Sequence, residues 1–113
     1  MSYRRRHIGQ LGERVAVGFL QRHGVEVVAR NVRVGAGEID VLARDGDTRV
    51  AVEVRTVTGS EDPLGAFDTD KRAQVERLAR RVGAYRVDFV AVRLGAGAAE
   101  VRWVRGAATK STR

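Results

Sequence analysis

The sequence predicts a single α/β domain with the element order α-β-β-β-α-β and a short final strand, and three features of its 113 residues carry that expectation. Apolar residues recur at helical spacing in two separate stretches. Runs rich in β-branched residues, bounded by glycine turns, lie between and after those stretches. A hydrophobic fraction of 43% supplies one compact core and no second. With one Trp, two Tyr and three Phe, that core is aliphatic, built from Val, Ala and Leu.

Residues 1–8 read as a basic N-terminal tail containing Arg4, Arg5 and Arg6, and the domain proper spans 9–107. Ile8, Leu11, Val15 and Phe19, with Ala16 and Leu20 beside them, place a helix over about residues 9–23 that stops at His23-Gly24. Residues 25–33 alternate loosely as a first strand, 38–43 follow the Gly35-Ala36-Gly37 turn as a second, and 49–57 form a third. Asp45-Gly46 signals a hairpin between the last two. Residues 58–67 contain Gly59, Ser60, Pro63 and Gly65 without periodicity, and read as a loop beside the acidic strands. A second helix begins near Thr69 or Asp70, with Val75, Leu78, Ala79 and Val82 on one face and Lys71, Arg72, Arg77, Arg80 and Arg81 elsewhere. A strand over 85–94, a turn at Gly95-Ala96-Gly97-Ala98, a short strand over 100–104 and a tail over 108–113 complete the chain.

With 21 Lys and Arg against 14 Asp and Glu, the formal charge of +7 points to a polyanionic partner, nucleic acid first. The alternative is a merely soluble, arginine-rich surface. The absence of cysteine excludes disulfides and thiolate-bound zinc. His7 and His23 lie apart without ligand spacing and read as surface residues. No apolar run approaches the roughly 20 residues that span a bilayer, and the start of the chain lacks a secretory pattern, so a cytoplasmic protein without membrane attachment is expected. Neither Gly35-Ala36-Gly37 nor Gly95-Ala96-Gly97 has the strand-to-helix context of a phosphate-cradling loop. There is no Ser-His-Asp arrangement or Cys nucleophile either, which leaves metal-assisted chemistry.

Gly37-Glu38-Ile39-Asp40 and Val52-Glu53-Val54-Arg55 carry the candidate site. Side chains alternate along a strand, so Glu38 and Asp40 share one face, Glu53 and Arg55 share another, and the hairpin sets Asp40 near Glu53. Adjacent carboxylates repel unless a cation joins them. Mg²⁺ takes one or two carboxylates together with water and phosphate oxygens, which this pattern provides. A hairpin with a solvated charged face and weak ion pairs is the plainer alternative.

Gly12-Glu13, Ala29-Arg30-Asn31, Gly37-Glu38-Ile39-Asp40, Val52-Glu53-Val54-Arg55, Lys71, and Arg86-Val87-Asp88 with Val90 resemble, in that order, the motif string of the bacterial YraN-type proteins. That family is related to the Holliday junction resolvases and to the restriction-endonuclease-like PD-(D/E)XK nucleases. The resemblance covers about residues 9–107. It implies a restriction-endonuclease-like α/β fold, a central mixed β-sheet flanked by helices, with the nuclease site on two adjacent strands. On this likeness Asp40 matches the motif aspartate and Glu53 the motif glutamate, both ligands of Mg or Mn, while Glu13 resembles the first-helix glutamate that completes the acidic cluster. Arg55 falls on the motif lysine and departs from it, and Val57 replaces the basic residue usual two positions later.

Arginine cannot accept a proton, and its planar fork needs more room than an ammonium. Arg55 would therefore orient water and offset charge, or else pair with Glu53 or Asp40 and fill the ion's position itself. Lys71 would supply the missing ammonium by leaning over the site. Arg30, Lys71 and Arg72 are the candidate nucleic-acid contacts, and Asp88 is expected in the fold or in an ion pair with Arg86. Three functions follow: a metal-dependent endonuclease of branched or structured DNA, a non-cleaving nucleic-acid-binding module on the same scaffold, or a small scaffold protein that engages another protein through its basic helix. A symmetric junction would suit a two-fold homodimer, which resolvase-like relatives often form.

Overall fold

The computed structural model describes residues 3–106, arranged as α1 (Tyr3–Arg22), β1 (Glu26–Val34), β2 (Gly37–Asp45), β3 (Thr48–Thr58), a 3₁₀ turn (Pro63–Ala66), α2 (Thr69–Arg81), β4 (Arg86–Gly95) and β5 (Ala98–Val104). The strands form one mixed sheet in the order β1-β2-β3-β4-β5. β3 and β4 run parallel, joined by the crossover through α2, and the other three pairings are antiparallel. This is the mixed sheet flanked by helices that the sequence resemblance implies.

Local chemistry explains the turns. Asp45 pairs with Thr48 across a tight hairpin in which Gly46 has φ +64°, a conformation an L side chain resists. One boundary differs from expectation: α1 begins at Tyr3, so most of the stretch read as a basic tail is helical. Arginine is a good helix former, so charge alone was a poor guide to order. The tail expected over 108–113 lies outside the described residues, as do residues 1–2 and 107.

Each face of the sheet has its own aliphatic core. On one side Ala16 and Leu20 of α1 pack on Val41, Ala43, Val50, Val52, Val90 and Val92. On the other, Val75 and Ala79 of α2 pack with Ile39, Leu42, Ala51, Val87 and the stacked pair Phe67 and Phe89, whose ring centroids are 3.8 Å apart. Period-two alternation accounts for most of this division, but not for Ile39 and Val41. Regular pleating would put those two on one face, yet they belong to opposite cores, so β2 is rotated at Asp40.

Asp88 belongs to the fold, as expected. Its buried carboxylate accepts from Arg86 at 3.0 and 2.9 Å, from the Trp103 indole at 3.0 Å and from the Gly106 amide at 2.9 Å. Among the described residues no helix is long and apolar enough to cross a membrane.

Candidate active site

The β2–β3 ladder runs from Asp45↔Thr48 to Val41↔Val52. At Asp40 the side chain takes over: Asp40 Oδ2 accepts the backbone N–H of Val54 at 2.8 Å. The two strands part there, β3 continuing beside β4 to Thr58. A groove of about 660 Å³ opens at this fork, between α1 and the second half of β3, lined among others by Arg5, Glu13, Asp40, Glu53, Arg55 and Glu61.

Close packing fixes the helix that supplies Glu13. Gly12 lies so near β3 that a methyl group added there would come within 1.7 Å of Thr56 Oγ1 and 2.6 Å of Thr56 Cβ. Glu13 follows immediately, at the lip of the groove. Its carboxylate receives the Asn31 side-chain amide, at 3.2 Å to Oε1 and 3.5 Å to Oε2. Asn31 stands opposite Asp40 in the β1–β2 register, between Arg30↔Val41 and Val32↔Ile39, and has φ +52° where the other positive values all belong to glycine. Asn tolerates this left-handed conformation better than most residues.

Burial in the groove disfavours the charged forms of its two inner acids. Burial, then the neighbouring Glu53 carboxylate, push the Asp40 pKa up to about 7, against the pull of the Val54 N–H. Burial also raises Glu53, opposed chiefly by the Lys71 ammonium, whose Nζ lies 3.1 Å from Glu53 Oε2. Two interacting carboxylates titrate as a pair. Lys71 reaches Glu53 from the first turn of α2, where Asp68 caps the helix by accepting the Lys71 backbone N–H at 2.9 Å. A cation at a helix N-terminus opposes the helix dipole, and the ion pair with Glu53 offsets that.

The predicted site residues thus meet, with corrections. Asp40, Glu53, Glu13 and Arg55 share the groove, and Lys71 leans over it. Glu38 does not join them: it is exposed and lines neither this groove nor the cleft beside Arg30. Arg55 makes no ion pair with Asp40 or Glu53 among the described residues; Lys71 makes it instead, and the shared strand face brought Arg55 only to the groove wall. Among the described residues no three of His, Cys, Asp and Glu are grouped so as to hold a metal ion, so Glu13 is beside the Asp40–Glu53 pair without completing a triad. Arg72, another candidate nucleic-acid contact, has partners within the fold. Its guanidinium donates to the Phe67 carbonyl at 2.9 Å and lies over the Phe89 ring at 5.3 Å, which turns it inward. Arg30 is exposed and lines a second cleft of about 470 Å³ with Gln10, Glu13, Arg14 and Asn31. Asn31 and Arg5 had no assigned role: the first figured only within the Ala29-Arg30-Asn31 motif, and the tail reading concealed the second.

Comparison with known proteins finds a family and a structural neighbour. Residues 12–92 match the model of Uncharacterised protein family UPF0102. A UPF0102 protein of Beutenbergia cavernae is 46% identical over 110 residues, covering 88% of this chain and 93% of the relative. One from Roseiflexus castenholzii is 40% identical over 112 residues, covering 89% and 90%. Among solved structures, a Holliday junction resolvase of Archaeoglobus fulgidus superposes with a TM-score of 0.54 at 22% identity, over 85% of this chain and 75% of the resolvase. That likeness establishes a shared nuclease-type fold.

Proposed function

We propose that this chain, which belongs to Uncharacterised protein family UPF0102, is a divalent-metal-dependent endonuclease that hydrolyses phosphodiesters in branched or structured DNA. The observation that carries this reading is the crowding of Asp40 and Glu53, both with raised pKa values, against one ammonium 3.1 Å from Glu53, on a fold shared with a Holliday junction resolvase. Neighbouring carboxylates whose charged forms burial disfavours are a donor set suited to a hard cation such as Mg²⁺ or Mn²⁺. Asp40 and Glu53 would hold it, with Glu13 at the lip. When bound, such an ion polarises a phosphoryl oxygen and lowers the pKa of its water.

The protein's own groups do the remaining work. The Val54 N–H fixes the Asp40 carboxylate in one orientation. Lys71 Nζ, beside Glu53, donates hydrogen bonds to phosphoryl oxygens and offsets the negative charge that grows on them. Arg55 orients the phosphate from the groove wall with its planar fork, a task that needs no proton acceptance. A two-fold dimer would offer two such grooves to a symmetric junction.

Purified protein with Mn²⁺ is expected to nick four-way junctions or flaps, and Asp40→Ala and Glu53→Gln to lose about 100-fold or more of that rate. Wild type and Asp40→Ala behaving alike would refute catalysis. A second reading is favoured by the Lys71–Glu53 ion pair, which gives one acid an internal cation. On that reading the groove binds nucleic acid without cleaving it, and affinity is steep in salt yet indifferent to EDTA.

A further inference from the structure

The two edges of the sheet are built differently. Along β1 the register with β2 shifts between Val27 and Ala29, leaving Val28 outside the ladder and exposed, and Asn31 departs from strand geometry again with its φ of +52°. Interruptions of this kind keep an edge from accepting another strand. β5 has none. It pairs with β4 without a shift from Phe89↔Val104 to Gly95↔Ala98, it contains neither Pro nor Lys, and among the described residues no strand pairs with its outer edge. Its only charges, Glu100 and Arg102, are opposite in sign, exposed and on one face of the strand.

We propose that β5 joins a second copy of this chain edge to edge, antiparallel, with the two-fold axis at Val101. The sequence Ala98-Ala99-Glu100-Val101-Arg102-Trp103-Val104 is complementary to itself about that residue. Such pairing opposes Glu100 to the partner's Arg102, Ala99 to the partner's Trp103 and Ala98 to the partner's Val104. Acid meets base, and small meets large. Each Glu100 then lies between two guanidinium groups, because Arg93 of β4 already holds its Oε1 at 3.1 Å. On the other face Val101 and Trp103 are only partly buried against the α1 core, and the partner's strand covers more of them.

Few registers compete with this one. In a symmetric antiparallel pair the same alternate residues of both copies turn N–H and C=O to the shared edge, so the axis passes through a residue and not between two. Moving it to Glu100 or to Arg102 sets that residue against its own copy, like charge on like, which destabilises a ladder. The axis stands perpendicular to the sheet, so both α1 helices lie on the same face of one continuous sheet. Both grooves, which open between α1 and β3, thus serve one side. The interface rests on the strand edges alone; only its use, offering two grooves to one branched DNA, rests on the nuclease reading.

Sedimentation velocity over a range of protein concentrations reads the association without metal or DNA, and thermal melts check folding. Wild type is expected to dimerise reversibly. Glu100→Arg and Arg102→Glu each turn both attractive pairs into repulsive ones and are expected to weaken the dimer about tenfold or more. Mixed together, the two variants regain it as a heterodimer, because each supplies the charges the other lacks. Wild type that stays monomeric at its highest soluble concentration overturns the proposal, as does a dimer that both substitutions leave intact. So does a mixture that fails to recover, since something other than opposed charge would then weaken the single variants. Wild type that dimerises in this pattern yet leaves junctions intact with Mn²⁺ supports the interface and counts against the nuclease reading alone.

Discussion

Asp40 is held in a place its charge disfavours. In the unfolded chain it titrates near its ordinary value of 3.8, whereas in the fold burial and the Glu53 carboxylate carry it to about 7. Between those values the native state holds a proton that the unfolded state has released, so stability falls as pH rises through roughly 4 to 7. Asp40→Asn removes the titration and keeps an oxygen to accept the Val54 N–H. At pH 8 the variant should be more stable than wild type by roughly 1–3 kcal/mol, less than the full shift would give because the site is partly open to water. Urea melts at several pH values check this: the advantage should shrink steadily and vanish near pH 4. An advantage that is constant across that range would mean that the Asp40 charge is not what burdens the native state. A stabilised variant would mean that Asp40 serves something other than the fold, which is what the proposed metal site requires of it.

At the scale of elements, the site depends on how closely α1 lies on β3. Gly12→Ala places a methyl group against Thr56, and rotating the Thr56 side chain cannot relieve it, because Thr56 Cβ would still be 2.6 Å away. The helix must move out. We expect a loss of about 1–3 kcal/mol, and each kcal/mol lowers the melting temperature of a domain this size by about 4–8 °C. Thermal melts test it, and an unchanged transition would show that α1 is seated loosely. The strands and the second helix show what the sequence made legible. Hairpins with Asp45-Gly46 or Gly35-Ala36 at their turns, flanked by β-branched residues, announce themselves through backbone sterics, and the second helix through its apolar stripe of Val75, Leu78 and Ala79. The start of α1 was hidden, because Arg4, Arg5 and Arg6 look the same in a tail and in a helix. The rotation at Asp40 was hidden too, since period-two reasoning presumes a regular strand and would put Ile39 and Val41 in one core. The Lys71–Glu53 pair was only half visible: the two residues are distant in sequence, and the loop capped by Asp62 and Asp68 decides their approach.

Over the whole molecule, the net charge of +7 can be read from composition, whereas its placement cannot. Arg93 and Arg86 are engaged in the fold, pairing with Glu100 and with Asp45 and Asp88, and Arg72 is turned onto Phe89. Arg30 and Arg55, both exposed, flank the ridge formed by Glu13, one in each cleft. If nucleic acid follows that ridge, these two arginines neutralise phosphates and release their counterions. The logarithm of the affinity for a four-way junction should then fall linearly with the logarithm of salt concentration, with a slope of about −0.9 for each phosphate neutralised. Arg30→Gln and Arg55→Gln should each make that slope shallower by about one and weaken binding alike for unrelated junction sequences. Fluorescence anisotropy in EDTA measures this without cleavage. Slopes that the two substitutions leave unchanged would place the nucleic acid elsewhere and reduce the arginine excess near the groove to a means of staying in solution.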